Sequence, residues 1–493
     1  MRGKRAEEKQ CELQSMILSK QARKKTKTSI LAFALGLCVS HSASSLTLED
    51  AILFVLETNP EIKAAEANKQ AIEFELDQAR SFFAPRVELE SRAEGSINDG
   101  TRTNDLTSSD DAIFGYEVTG RVTQRLYDGK ATRSEVERQA YRIDAAAYRV
   151  LERAEFLSLE AIRVYSDVLR TQRVTQLARE NLTYHRDILA QIRSGFDNGI
   201  LGIGDLQQAE ERLFLAEDTL LQFELNEMDT RALFLETVGV TPDGLNAVPS
   251  PAARLPATVE ETLATAWRRN PTILFFQSDV GAAEALSRTA NANKAPTLDL
   301  EAVTRYGDDM RGFEGEVRDA SVGLVLRYEF QGNRKRGERE EQVRRVGEQR
   351  ARLLTQTRLV EREVRQSWAN LQSALRRADI LERQATLSRE LLESYTQEFD
   401  VGNRSLLDVL NTQNALFQAD VNLRNARALE VFLKYRLLAA AGILLPSLGI
   451  EPPEDSNAYA ASAEGAPGVS SEPVKLRDDA RGFSDWRKSV KSE

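Results

Sequence analysis

The spacing of apolar positions changes twice within each half of this chain. Residues 47–80 carry a helical pattern, opened by Thr47 and interrupted at Asn59-Pro60. From Pro85 apolar and polar residues alternate, and after a polar loop the alternation returns, which predicts two strands with one apolar face. Both patterns recur in the second half. The predicted apolar faces include Val87, Leu89, Val118, Val122, Leu126, Leu298, Leu300, Val322, Leu324 and Leu326.

Beyond each predicted strand pair the apolar period becomes 3.5 residues, which is typical of helices packed as coiled coils. The run from Gly129 to Gly195 corresponds to a helix of roughly 100 Å. A second helical run, from Asp205 to about Val238, is expected to return alongside it. The seam of the first long helix passes through Ile143, Ala147, Val150, Ala154, Leu157, Ala161, Val164 and Val168.

One structural unit occurs twice along the chain. Asn59-Pro60 recurs as Asn270-Pro271, 211 residues later, whereas Gly199 recurs as Gly402 at an offset of 203. The offset changes once, between the two predicted strands, so we expect the first hairpin tip to be about eight residues longer. The predicted organisation is a signal peptide at 1–45, a first repeat at 46–241, a linker at 242–257, a second repeat at 258–445 and a flexible tail at 446–493.

The amino terminus predicts export. A basic stretch from Lys20 to Lys27 precedes the uncharged apolar run Ser29–Val39 and then several small residues, the order found in a secretory signal. The apolar run is too short to span a bilayer. Formal charge is −10 for the whole chain, with none of the basic patterning that nucleic-acid binding requires.

The scarcity of cysteine and histidine narrows the possible chemistry. The two cysteines, Cys11 and Cys38, and the histidine His41 all lie inside the predicted signal, which leaves His185 alone in the exported chain. This composition disfavours a zinc site, a cysteine nucleophile and a disulfide framework. We therefore predict no enzyme, no metal and no cofactor, and a packed or interfacial role for His185.

Four strands are too few for a closed barrel and would leave edge amides unpaired in lipid. An exported chain with one apolar strand face must close its sheet with other copies, two giving eight strands and three giving twelve. The polar faces would then line a water-filled lumen, which we expect to be acidic. The residues behind that expectation are Glu88, Glu90, Glu94, Asp299 and Glu301. The alternative is a soluble strand pair with one solvated face.

With these features the chain resembles the TolC-like family of outer membrane efflux and type I secretion proteins. The likeness covers about residues 46–445. It rests on the duplicated helix–hairpin–helix unit and on the segment Phe399–Asn411 (FDVGNRSLLDVLN), with a weaker echo at Phe196–Leu206. Tyr127-Asp128-Gly129 and Phe330-Gln331-Gly332 resemble the family's strand-to-helix junctions.

The resemblance implies a mainly helical fold with a β-barrel part. Long antiparallel coiled-coil helices would form an α-barrel across the periplasm, and four strands per chain would enter the 12-stranded transmembrane β-barrel of a homotrimer. It also implies a location in the bacterial outer membrane, contact with its lipid, and docking to a periplasmic membrane-fusion adaptor. The inner-membrane partner would be an ABC or a proton-driven transporter.

By the same likeness the tunnel entrance closes at the helix turns around Gly199 and Gly402. Asp408 would form an acidic ring, and Asp205 and Arg404 would belong to links between helices. The sequence departs from the family at two positions. Phe399 replaces a frequent tyrosine that hydrogen-bonds to the aspartate at Asp205, and Asn411 replaces a frequent second acidic residue. An alternative role for Asp408 is a helix N-cap.

Three functions are compatible with the sequence. The favoured one is a passive export duct of a type I protein secretion system or a multidrug efflux pump. The second is an outer membrane component confined to small-molecule efflux. The third is a soluble periplasmic coiled-coil scaffold without a pore.

Overall fold

The computed structural model describes residues 45–96, 113–309 and 315–468. The predicted signal peptide therefore lies almost entirely outside the described residues. All elements below belong to one compact unit that begins at Thr47. None of the helices in the described part of the chain combines the length and the apolar character that a membrane crossing demands.

The first repeat begins with two capped helices. Thr47 and Asp50 form a reciprocal capping box, in which the Asp50 amide donates to Thr47 Oγ1 at 3.1 Å. Asn59 caps the second helix and Pro60 occupies its first turn, where proline lacks no needed hydrogen bond. The elements are α1 (Leu48–Thr58), α2 (Pro60–Ser81), β1 (Arg86–Ser96), β2 (Ile113–Tyr127), α3 (Ala131–Asp197) and α4 (Ile203–Val238).

The second repeat uses the same signals. Thr258 caps its first helix, and Asn270 caps the next one ahead of Pro271. The elements are α5 (Val259–Arg269), α6 (Pro271–Ala292), β3 (Thr297–Asp308), β4 (Glu316–Arg327), α7 (Arg334–Asp400) and α8 (Leu406–Ala440). The long helices α3 and α7 each contain 67 residues, in agreement with the heptad pattern.

The four strands form one antiparallel sheet in the order β1-β2-β3-β4. The pairing of β2 with β3 joins the two repeats, and β1 and β4 are the edges. A bulge interrupts the β2–β3 pairing between Arg125 and Tyr127. Ser91 faces Val118 in the first hairpin and Ala302 faces Val322 in the second, so the strand offset is 204 residues. Of the eight-residue change in offset, the bulge thus accounts for one residue and the hairpin connection for seven.

The polar side of the sheet is more nearly neutral than we expected. Asp299 is fully buried and accepts hydrogen bonds from Arg125 Nε and Arg327 Nη1, each at 2.6 Å. Glu301 also pairs with Arg327, and Glu117 lies 3.0 Å from Arg305 Nε. The expectation of an acidic lumen counted carboxylates on alternate positions and missed the arginines that neighbouring strands place opposite them.

Helix packing is centred on α3. It packs against α2 and α4 of its own repeat and against α6 and α8 of the second repeat. One core cluster joins α3 to α8 midway along their length: Val174, Ala178, Phe417 and Val421. A second lies near the turns and contains Ile188, Ile192, Ala209, Leu406 and Leu410.

The first part of the tail is ordered, in contrast to the predicted flexibility of 446–493. Asp455 accepts a hydrogen bond from the buried Lys69 at 2.8 Å. The Asp144 carboxylate accepts the amides of Ala460 and Ala461 at 2.8 and 3.0 Å. Two short helices belong to this region, α9 (Leu444–Leu448) and α10 (Ala460–Ala463). Residues 469–493 lie outside the described part of the chain.

Candidate functional site at the helix turns

The two long helices reverse direction at related turns. Gly199 (φ 73°) and Gly402 (φ 77°) both adopt the left-handed conformation that favours glycine. Each amide donates to the carbonyl three residues earlier, Phe196 or Phe399, at 2.9 Å. The turns therefore follow the same backbone path, as their sequence likeness predicts.

Asp408 lies in the first turn of α8, although it is not the N-cap. Ser405 is the cap and accepts the Asp408 amide on Oγ at 3.2 Å. Ser405 Oγ also donates to Asp408 Oδ2 at 2.8 Å. The carboxylate thus stands at the positive end of a helix and remains about half exposed.

Arg404 is held within its own turn. Its Nε and Nη2 donate to Glu398 Oε2 at 2.9 and 2.6 Å, and the guanidinium lies 4.0 Å from the centre of the Tyr395 ring. Asp408 Oδ2 is 3.9 Å from Arg404 Nη1. The hydrogen bond to Glu398 raises the pKa of Arg404. Planar guanidinium stacking and a shared carboxylate give this side chain one preferred orientation.

The equivalent aspartate of the first repeat also acts locally. Asp205 Oδ2 accepts the Gly202 amide at 3.1 Å at the start of α4. Phe399 lies partly buried against the cluster of Ile188, Ile192, Ala209, Leu406 and Leu410. Within one chain, no hydrogen bond or ion pair among the described residues joins Asp205 to Phe399 or to Arg404.

Asn411 connects the two returning helices. Its Oδ1 accepts a hydrogen bond from Arg212 Nη2 of α4 at 3.4 Å. The sequence analysis did not single out Arg212, Glu398 or Tyr395. Glu398 and Tyr395 lie in the last two turns of α7, and the turn at Gly402 brings Arg404 back to them. No sequence signal identifies Arg212, because its partner, Asn411, lies on another helix.

His185 lies next to this region on α3 and is buried. Its ring meets that of Tyr184 edge-on at 6.0 Å. Burial lowers the pKa of His185, and the nearby charge of Arg212 lowers it further. Its buried position is consistent with the packed or interfacial role predicted for it.

Comparison with known families gives two matches along the chain. The family described as outer membrane efflux protein matches residues 54–233 and again residues 262–442, one segment in each repeat. The chain belongs to this family. Membership places it in the outer membrane and among efflux channels, which are not a class of enzymes.

Individual relatives support the assignment. The outer membrane efflux protein BepC of Brucella suis is 26% identical over 412 residues, covering 81% of this chain and 86% of BepC. The outer membrane protein TolC of Escherichia coli is 25% identical over 445 residues, covering 84% and 86% of the two chains. The CmeC outer membrane channel of Campylobacter jejuni superposes with a TM-score of 0.70 at 14% identity, covering 85% of this chain and 89% of CmeC.

The predicted fold class and outer membrane location of this family member are confirmed. The two matched segments also agree with the internal duplication deduced from the landmark residues. The predicted export function is confirmed to the extent that the chain is an outer membrane efflux protein.

Proposed function

We propose that three copies of this outer membrane efflux protein form a passive export duct. The single observation that carries the proposal is the sheet with two open edges on a duplicated unit of long helices. Four strands cannot close, and three copies supply the twelve strands of a barrel. The helices then continue the same ring as a tunnel.

The surface of the sheet supports contact with lipid. Val87, Leu89, Val322, Leu324 and Leu326 are all largely exposed, and each lies two residues from the next on its edge strand, so they share one face of β1 or of β4. Large exposed apolar patches mark interaction surfaces. On the outer side of a barrel in the outer membrane, acyl chains would cover them.

We propose that the helix turns form the periplasmic entrance of the duct. Asp408, Asn411, Arg404, Asp205, Phe399 and the turn glycines Gly199 and Gly402 belong to it. Asp408 supplies the charge that passing ions meet. Arg404, with Glu398 and Tyr395, sets the shape of the turn, and the contact from Arg212 to Asn411 ties the returning helices together.

The partners follow from the resemblance. A periplasmic adaptor docks to the duct and connects it to an inner-membrane ABC or proton-driven transporter. The cargo is either a protein of a type I secretion system or the small molecules of a multidrug pump. Deleting the gene and scoring both secreted proteins and drug susceptibility separates the two: a change in drug susceptibility alone assigns small-molecule efflux.

Solution size tests the assembly. Protein extracted from outer membranes in detergent should have about three times the mass of one chain and should shift on gels after heating. A monodisperse monomer with native sheet content contradicts the duct. Recovery in the soluble periplasm without detergent would instead support a coiled-coil scaffold.

A further inference from the structure

An open cavity lies where α5 and α9 of the second repeat meet the connection between the repeats. It measures about 800 Å³. Among the described residues that line it, three are arginines and none is acidic. The arginines are Arg254 of the connection and Arg268 and Arg269 at the end of α5. The cavity is therefore strongly positive.

Two of these arginines have no counter-charge. Within the described part of the chain, neither Arg268 nor Arg269 takes part in an ion pair or a side-chain hydrogen bond, and both are exposed. Arg254 differs, because its Nη1 donates to the carbonyl of Ser447 and is held at the cavity wall. Cations in the last turn of a helix complement its dipole, but Arg254 comes from a separate segment. Helix stability alone therefore does not explain why the three charges meet.

The first repeat fills the equivalent space with an aromatic ring. Phe54 of α1 stands 211 residues before Thr265, which lines the cavity. The ring of Phe54 lies beside Gly239, where an added Cβ would be 3.2 Å from it. In the second repeat the smaller Thr265 stands beside the open volume. The fold that the two repeats share therefore does not require a cavity here.

The charge of this region also differs between the repeats. Glu57 and Thr58 stand at the positions equivalent to Arg268 and Arg269. The end of α1 is thus negative where the end of α5 is strongly positive. A positive cavity in one repeat only is typical of a binding site, because a packing requirement would apply to both repeats.

The cavity lies far from the sheet. Arg269 directly precedes Asn270, the N-cap of α6, and the 22 residues of α6 extend over about 33 Å before β3 begins. With the sheet in the outer membrane, as proposed above, the phosphates of lipid headgroups are out of reach. The ligand must then come from the periplasm.

The lining of the cavity indicates the kind of ligand. Guanidinium groups bind carboxylates and phosphates through parallel N–H donors, so the cavity suits oxyanions. Its volume lies in the range of sites for small organic molecules and exceeds what one oxyanion needs. Ile443 and Pro446 add aliphatic surface beside the arginines. A fitting ligand carries more than one anionic group on a small, partly aliphatic frame.

We propose that the cavity binds the stem peptides of the cell wall. These short peptides carry free carboxylates on small aliphatic residues, and they are fixed in the periplasm, which the duct must cross. Their binding would hold the duct to the wall and should weaken as salt screens the three charges. The inference rests on the proposed function only in placing the cavity on the periplasmic side of the membrane.

Co-sedimentation with isolated cell-wall sacculi tests the site. The full chain in detergent is pelleted with sacculi at low ionic strength. Arg268→Ala with Arg269→Ala should lower the bound fraction at least several-fold. Arg376→Ala with Arg377→Ala is the matched control, because it removes an adjacent pair of exposed arginines from α7, and it should bind like the wild type. Equal losses in the two double variants overturn the proposal.

A second variant tests the shape of the cavity without changing its charge. Thr265→Phe introduces the residue that the first repeat has at this position and keeps all three arginines. It should also lower the bound fraction at least several-fold. Wild-type binding by Thr265→Phe would show that the sacculi meet surface charge and not the cavity, which overturns the proposal.

Modified sacculi identify the group that is bound. Sacculi whose carboxylates have been converted to amides should retain at least several-fold less of the wild-type protein. Equal retention, or competition by inorganic pyrophosphate but not by soluble stem peptides, overturns the carboxylate assignment. A conducting trimer that does not sediment with sacculi contradicts the site and leaves the duct standing. A monomer that sediments through the arginines contradicts the duct and leaves the site standing.

Discussion

Glu155 shows how one buried residue joins the two repeats. Glu155 is 5% exposed, and its carboxyl group holds the start of α9 through two amide hydrogen bonds. Burial raises the pKa of Glu155 from 4.5 to about 7, although both amides act in the opposite direction. The folded chain therefore favours the protonated acid more than the unfolded chain does.

The sign of this shift gives a pH prediction. A folded pKa above the unfolded value stabilises the fold below about pH 4.5, and that stabilisation is lost as pH rises to about 7. The loss amounts to at most about 3 kcal/mol, since one pKa unit corresponds to about 1.36 kcal/mol. Glu155→Gln should remove this contribution, so its melting temperature should fall less between pH 4.5 and 7 than that of the wild type.

Thermal melting in detergent across this range is the measurement. Glu180→Gln, an exposed carboxylate on the same helix, is the control and should keep the wild-type slope. Parallel profiles for the wild type and Glu155→Gln would contradict the assignment.

At the helix turns, the sequence predicted which residues lie in the turn but not all of the contacts that they make. The motif placed Gly402, Arg404 and Asp408 in one turn, because glycine and helix-start residues have strong local preferences. It gave Asp408 as a possible N-cap, whereas Ser405 has that role. It did not find Arg212, whose bond to Asn411 depends on how two separate helices are aligned.

Among the secondary-structure elements, the turns between long helices each require a glycine with a left-handed backbone. Any side chain at Gly402 must adopt a left-handed backbone, which costs about 1–2 kcal/mol, and no neighbouring atom lies near the added Cβ. Gly402→Ala should therefore lower the melting temperature through backbone strain alone. Gly204→Ala, inside α4 with no such backbone and open space around it, should leave stability unchanged or raise it.

Differential scanning calorimetry of the two variants, measured side by side, checks this prediction. A destabilisation by Gly204→Ala as large as that by Gly402→Ala would show that the turn conformation is not the cause.

The elements themselves were largely predictable. Heptads, alternation and the paired Asn-Pro and Thr caps placed the helices and strands in both repeats, because each signal acts over a few residues. The β2 bulge and the folded structure of residues 446–468 were not predictable, since both depend on distant partners. Asp144 and Lys69, which fix the tail, lie more than 300 residues before it.

The tail contact gives a prediction of its own. Asp455→Ala leaves the buried Lys69 with Glu73, 3.0 Å away, and without its other carboxylate. We expect a loss of about 1.5–3 kcal/mol in stability, the usual range for a hydrogen bond to a charged group. Glu66→Ala removes the partner of the exposed Lys63 and should cost at most about 1 kcal/mol. Chemical denaturation of both variants compares them, and equal losses would argue against a structural role for the tail.

For the whole molecule, the internal duplication has one general consequence. Equivalent positions of the two repeats can carry different residues and so make different contacts. Glu155 of α3 accepts two amides of α9, whereas an arginine, Arg358, stands at the equivalent position of α7.

In the proposed trimer the charge at the entrance would be multiplied by three. Three copies of Asp408 around one axis would form a ring of carboxylates, and such rings attract cations. Currents through the duct in planar bilayers should favour cations and be blocked by hexamminecobalt. Asp408→Asn should weaken the block at least several-fold without reducing trimer yield, because Ser405 still caps α8. Asp379→Asn, an exposed carboxylate on α7, should leave the block unchanged.

Arg404 should control the width of the entrance rather than its charge alone. Arg404→Glu places two carboxylates together at Glu398 and removes the stacking on Tyr395, so the turn should loosen and conductance should rise. Reversing both partners, Arg404→Glu with Glu398→Arg, restores an ion pair of the opposite orientation and should lower conductance towards the wild-type value. If both variants conduct like the wild type, and if Asp408→Asn keeps the full trivalent block, the entrance does not lie at these turns.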